Sequence, residues 1–208
     1  QLMALLPEIN RFFDVKVEYH LSLLPTATPV SRNAIFSGLF NDDLLDKYPK
    51  QKKALLEHAP GLNQYEGEFL QDQLKQLGLP DVRMHYHKIW KVDEGNRFQN
   101  RLAELLQVEL LTIVVNFVDM LAHKRSESEV LKEMVPDESG YRLAINTWFE
   151  NSWLFMVLKK LSTSGFHVVL TSDHGSIKVH QGVVVGADRE TSTGIRYKYG
   201  RNLNCTNK

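Results

Sequence analysis

The sequence predicts an α/β fold, a mostly parallel sheet flanked by helices. Three observations carry that expectation. Leu110 to Val118 is a continuous apolar, β-branched run, Phe166 to Thr171 is a second, and helical periodicity fills the stretches around them. Short apolar runs of this kind are what strands covered on both faces look like. Strands that alternate with helices build a parallel layer, because each parallel crossover needs a connecting element. No internal repeat, heptad array or low-complexity segment is visible.

Taken in order, Leu2, Leu5, Leu6, Ile9, Phe12 and Phe13 recur at helical spacing and predict an amphipathic helix over 2–13. Val15, Val17 and Tyr19 alternate with Lys16, Glu18 and His20, the pattern of a strand. A Pro/Thr-rich turn, Leu24 to Pro29, leads to a helix that starts near Ser31 or Arg32 and stops near Gly38. Residues 41–62 are charged and rich in breakers, a loop with short helices, and 63–77 read as a helix ended by Gly78 and Pro80. Met84 to Ile89 makes a short strand, 94–107 a helix, and 138–163 one long helical stretch before the second apolar run.

Composition narrows the function classes. The chain has 208 residues, 43% hydrophobic and 24% charged, which is ordinary globular usage and excludes a disordered tail, a collagen-like chain and a membrane bundle. Its 25 Lys+Arg balance 25 Asp+Glu, so no global field grips a polyanion, which must be held by a local feature such as metal ions. A single Cys, Cys205, excludes a disulfide scaffold and a Cys-based zinc knuckle and fits a reducing compartment, so a cytoplasmic location is expected. The run at 110–118 is about half the ~20 residues of a spanning helix, and no signal peptide is apparent. Gln1 opens directly on helical material and Asn202 to Lys208 stops without a cap or finished strand. Residues 1–208 are therefore expected to be one incomplete domain, cut at both ends, with no internal boundary.

Ligands of open α/β sheets bind beyond the carboxyl ends of the strands. Asp119 follows Val118, and Asp173 and His174 follow Leu170 with only Thr171 and Ser172 between, so two strands deliver a carboxylate to one sheet edge. His123 lies four residues after Asp119, a rise of about 6 Å on a helix. Carboxylate with imidazole is a usual ligand set for zinc. Each pair also has a plain reading, as a solvated helix face or a turn cap. Thr28 sits between a strand and a helix, where a phosphate is favourable and where a metal makes a hydroxyl a usable nucleophile. Thr26, Thr28 and Ser31 are equally the residue types that cap a helix. His20, His58, His85, His87, His167 and His180 carry no ligand pattern.

The segment Leu24 to Phe40 resembles the nucleophile segment of PglZ domains, members of the alkaline phosphatase superfamily. Asn116 to His123 and Thr171 to Ser176 resemble its two metal-ligand segments. Asp188 to Lys198 resembles PglZ domains of the PorX type, in which the domain follows a phospho-receiver in a bacterial response regulator. The resemblance implies an alkaline-phosphatase-like core and a two-zinc phosphoryl-transfer site. The family's nucleophile stands ten residues before the Gly of a Thr/Ser-Gly pair, here Ser37-Gly38, which selects Thr28 over Thr26. One zinc would be held by Asp173, His174 and the Thr28 oxygen, the other by Asp119 and His123. Related phosphodiesterases also use an Asp at the end of the first strand and a late His. Neither has a counterpart here, and both are expected beyond residues 1 and 208. Thr28 would attack phosphorus in line, and water would then hydrolyse the phospho-threonine. Pro29 has no N–H for a phosphate oxygen, so Arg32, Asn33 and the Ser31 amide are the expected substitutes. Arg189, Arg196, Lys198 and Arg201 form a basic cluster suited to a polyanionic substrate, with a solvated loop as the alternative.

The function expected from this resemblance is a zinc-dependent phosphodiesterase for nucleotide or oligonucleotide phosphodiesters, the effector domain of a two-component response regulator. Its expected partners are an N-terminal receiver domain in the full chain, a second copy as homodimer, and a transcription or secretion regulator, with no membrane. The alternative is a non-catalytic, zinc-binding dimerisation or regulator-binding module of the same fold. A hydroxyl at position 28 favours the enzyme, since a structural zinc site has no need of one. A sulfatase would need a Cys or Ser nucleophile, and Cys205 is far from the turn in sequence.

Overall fold

The computed structural model describes residues 2–51, 55, 63–175, 183–187 and 203–205. In chain order its elements are α1 (Leu2–Ile9), α2 (Thr28–Ser37), α3 (Asn41–Lys47), α4 (Glu66–Gln76), β1 (Met84–Ile89), α5 (Val92–Asn100), α6 (Leu102–Leu105), β2 (Leu110–Val115), α7 (Phe117–Glu127), α8 (Glu129–Met134), α9 (Glu138–Glu150), α10 (Trp153–Leu161), β3 (Val185–Gly186) and β4 (Asn204–Cys205). They pack into two compact units, residues 1–19 with 81–170 and residues 20–80 with 171–208. Among the described residues no helix is long and apolar enough to cross a membrane.

The first unit is built on a strand–helix–strand crossover, which makes the fold α/β with parallel strands. β1 pairs with β2 in parallel register, Met84 opposite Leu110 through Ile89 opposite Val115. α5 and α6 connect the two strands. The start of α5 is set by Glu94, whose carboxylate accepts from the Trp90 amide at 2.9 Å and the Lys91 amide at 3.2 Å. These two bonds hold its carboxyl below the ordinary range. Ile9 of α1 joins Ile89, Phe98, Leu102, Leu105, Phe149, Trp153, Val157, Leu158 and Leu161 in one core. Phe98 bridges two partners, edge-on to His87 at 4.9 Å and to Trp153 at 6.0 Å.

Several expected boundaries move. α1 ends at Ile9, and residues 10–13 continue as turns on the Leu6, Glu8 and Ile9 carbonyls. Residues 15–19 and 166–171 are not strands. Val15, Phe166 and Val168 do pack on the core, while Tyr19 is 92% exposed and Val169 86%. The inward packing holds for Val15, Phe166 and Val168 but is lost by Tyr19 and Leu170, and without a backbone partner no ladder forms on these segments. β2 stops at Val115, so Phe117 and Val118 open α7 instead of closing a strand, and all six β2 residues are half-buried. The stretch 138–163 breaks at Asn151-Ser152 because the Ser152 hydroxyl caps α10, accepting from the Phe155 amide at 3.3 Å.

In the second unit, α2 packs on α3 and α4. Gly38 ends α2 with φ of 68°, the left-handed conformation a glycine adopts freely. Phe36, Leu44, Leu45 and Phe69 are buried, and Tyr48 leans on Phe69 at 4.7 Å. The centre of this unit is charged. The Arg32 Nε of α2 donates to the Glu66 carboxylate of α4, which is 0% exposed. β3 and β4 form a two-residue antiparallel pair that the sequence did not announce.

Two predictions test these cores. A Cβ built on Gly95 lies 2.0 Å from Trp153 Nε1 and 2.2 Å from two indole carbons. Gly95→Ala should therefore destabilise the protein by about 1–3 kcal/mol in urea unfolding, although alanine is the better helix former; an unchanged midpoint would mean the helices are not packed this closely. Glu66→Ala removes the carboxylate that faces the buried Arg32 guanidinium and should cost about 3–5 kcal/mol, whereas the double change Arg32→Met, Glu66→Leu should cost far less. Equal losses in the two proteins would contradict the pairing.

Candidate active site

The first turn of α2 is uncapped by any side chain. Ala27 occupies the cap position with extended backbone (φ −115°, ψ 140°), and Pro29 stands inside the first turn, where a missing N–H costs nothing. The Ala27 carbonyl takes the amides of Val30 at 2.9 Å and Ser31 at 2.8 Å. Thr28 is thereby released from the capping role its residue type allows. Its Oγ1 lies 3.0 Å from His174 Nε2, a contact between residues 146 apart in sequence.

The opposing segment, 171–175, is held by its own polar contacts. Ser172 Oγ donates to the His174 carbonyl at 3.1 Å, and His174 Nδ1 is 3.2 Å from the Gly175 carbonyl. A carbonyl can only accept, so Nδ1 carries a proton, and in the neutral ring Nε2 then presents its lone pair to the Thr28 hydroxyl. Asp173 Oδ2 stands 3.6 Å from His174 Nε2. That carboxylate oxygen is buried and has no hydrogen-bond partner among the described residues. Ser22 fastens this segment to the helix start, since its hydroxyl donates to the Asp173 carbonyl and lies 3.2 Å from Ser31 Oγ. Ser31 Oγ in turn donates to the Leu23 carbonyl at 3.3 Å.

An unpartnered carboxylate oxygen, an imidazole lone pair and a hydroxyl therefore converge inside the second unit. That donor set suits a divalent cation. It contains two carboxylate or imidazole ligands, and among the described residues no group of three or more His, Cys, Asp or Glu comes together. Asp119 and His123 belong to the first unit and fall one turn apart on α7, Asp119 in its first turn; the His123 side chain is outside the described residues. The backbone ahead of Asp119 is braced from α9, where Tyr141 OH donates to the Val118 carbonyl at 3.2 Å and Trp148 stacks on Phe117 at 4.0 Å.

The expected phosphate contacts have other work. Arg32 is engaged with Glu66, Asn33 Nδ2 donates to the Pro29 carbonyl at 2.7 Å, and the Ser31 amide is spent on Ala27. Arg189, Arg196, Lys198 and Arg201, with His58 and His180, lie outside the described residues. Sequence reasoning missed Ser22, Asn63 and Glu66. Nothing in their local pattern marks them: Glu66 reads as an acid favoured at a helix start, and Ser22 and Asn63 as loop residues.

The chain matches, over residues 1–206, the family described as the BREX system PglZ alkaline phosphatase-like domain. No curated protein matches it. The match spans both strand–helix elements and the Thr28 turn, and the chain belongs to the PglZ family, an alkaline phosphatase-like domain and hence a phosphoesterase-type hydrolase.

Proposed function

We propose that this chain is a zinc-dependent phosphodiesterase acting on nucleotide or oligonucleotide phosphodiesters, with Thr28 as nucleophile. The observation that carries the reading is the 3.0 Å approach of Thr28 Oγ1 to His174 Nε2 at an uncapped helix start. A threonine that merely capped α2 would turn its hydroxyl back to the helix amides. This one faces the His174 imidazole instead, with a carboxylate oxygen of Asp173 3.6 Å from the same nitrogen.

Zinc held by Asp173, His174 and the Thr28 oxygen, with a second ion on Asp119 and His123, would supply Lewis-acid stabilisation of phosphoryl charge. The chain's own residues do the rest. The Nδ1–H contact to Gly175 fixes which nitrogen of His174 is offered. Ser22 sets the segment's distance from α2. The positive end of α2 favours a phosphoryl group at Thr28. Thr28 Oγ1 gives up its proton to solvent and attacks phosphorus, the bond to one ester oxygen breaks and that oxygen leaves as the protonated alcohol, and water then cleaves the phospho-threonine to release the phosphomonoester and restore the hydroxyl. Arg189, Arg196 and Lys198 would hold further phosphates of the substrate. The likeness of residues 188–198 to PorX-type domains supports a place behind a receiver domain in a response regulator, with a homodimer or a transcription or secretion regulator as partner.

The test uses the full-length protein with bis(p-nitrophenyl) phosphate and metal analysis by mass spectrometry. Thr28→Ala should lose about 10³-fold or more in kcat/KM while keeping zinc. Asp173→Ala should lose both metal and activity. Undiminished hydrolysis by Thr28→Ala would overturn the nucleophile, and absence of zinc from an active wild type would overturn the metal. An inactive wild type that binds zinc and a partner would leave the non-catalytic module as the better reading.

A further inference from the structure

We infer that Asn63 is a positioning residue that locks the backbone of Thr28 through a two-asparagine bridge. The inference rests on the reading of Thr28 as nucleophile. Asn63 precedes α4 in sequence, yet its Nδ2 donates to the Thr28 carbonyl at 3.2 Å and reaches Asn33 Oδ1 at 3.5 Å. Asn33 Nδ2 then donates to the Pro29 carbonyl at 2.7 Å. Both asparagines are buried, 5% and 2% exposed. Two successive carbonyls of the first turn are therefore held by side chains from inside the unit.

The chemistry admits only this arrangement. The two protons of the Asn63 amide face two oxygens, so the nitrogen end is fixed inward. Asn33 uses its oxygen toward Asn63 and its nitrogen toward Pro29, so its orientation is fixed as well. A helix start without a side-chain cap frays easily. Here the missing cap is replaced from the side, which leaves the Thr28 hydroxyl clear to face His174. The Arg32–Glu66 pair joins the same two helices and keeps Asn63 opposite α2. Asn63 reaches the Thr28 main chain and acts through it.

Asn63→Asp is the sharpest variant, because an oxygen then faces both the Thr28 carbonyl and Asn33 Oδ1. Asn63→Ser is a second, which removes the bridge without adding charge. Hydrolysis of bis(p-nitrophenyl) phosphate by each should show kcat reduced about 10- to 100-fold with KM within about twofold of wild type. Hydrogen exchange of the Arg32 and Asn33 amides, the helical donors to the Thr28 and Pro29 carbonyls, should accelerate, while peptides of the first unit keep wild-type rates. Tyr48→Phe, which removes the 3.1 Å bond to Asp72 in the same unit, should leave kcat unchanged and so serves as the control for a merely structural loss. Wild-type kcat and wild-type exchange in Asn63→Ser would overturn the inference. If wild type itself does not hydrolyse the diester, the catalytic reading fails, and the exchange rates alone decide whether Asn63 holds this turn.

Discussion

The candidate site depends on one buried ion pair. Arg32 and Glu66 are charged groups shut away from water, and taking them out of solvent is repaid only if the two meet with good geometry. That requirement adds a directional constraint between α2 and α4 to the apolar packing of the buried Phe36 and Phe69. Once the helices are fixed, Asn63 is opposite the Thr28 carbonyl, and the first turn of α2 has its support. The pair is thus better understood as specifying an arrangement than as adding stability.

The first unit solves a different problem by different means. Its parallel pair of strands is joined by a crossover whose helix must lie close to α10, and Gly95 permits the Trp153 indole to occupy the space a side chain would take. β2 then runs directly through Asn116 into α7, so Asp119 stands at the carboxyl end of the strand pair, where α/β sheets place their ligands. Tyr141 and Trp148 hold the turn that carries it.

Much of this was legible in the residues. β1, the body of β2 and the glycines that end α2 and α4 all follow from local pattern. What was not legible has physical causes. The alternation at 15–19 and the apolar run at 166–171 are strand patterns, and whether a ladder forms depends on a partner that local sequence does not contain. The apolar run through Val118 hides the point at which strand becomes helix, because both faces of that boundary are covered alike. Arg32, next to a candidate nucleophile, invites a substrate role, and only the fold brings Glu66 to it. The Ser152 cap that divides 138–163 was readable in principle, since a serine before an apolar turn is an ordinary start signal.

The Thr28 hydroxyl, the His174 imidazole and a carboxylate oxygen of Asp173 meet within the second unit of this phosphoesterase-type hydrolase. In the proposed reaction, phosphorus becomes bonded to Thr28 during turnover. Rapid acid quench of the full-length protein with a phosphodiester, followed by peptide mass spectrometry, tests this most directly. A phosphoryl adduct on Thr28 that appears within one turnover and decays as product forms is the predicted result. Steady hydrolysis with no adduct on Thr28, or an adduct on another residue, would contradict it.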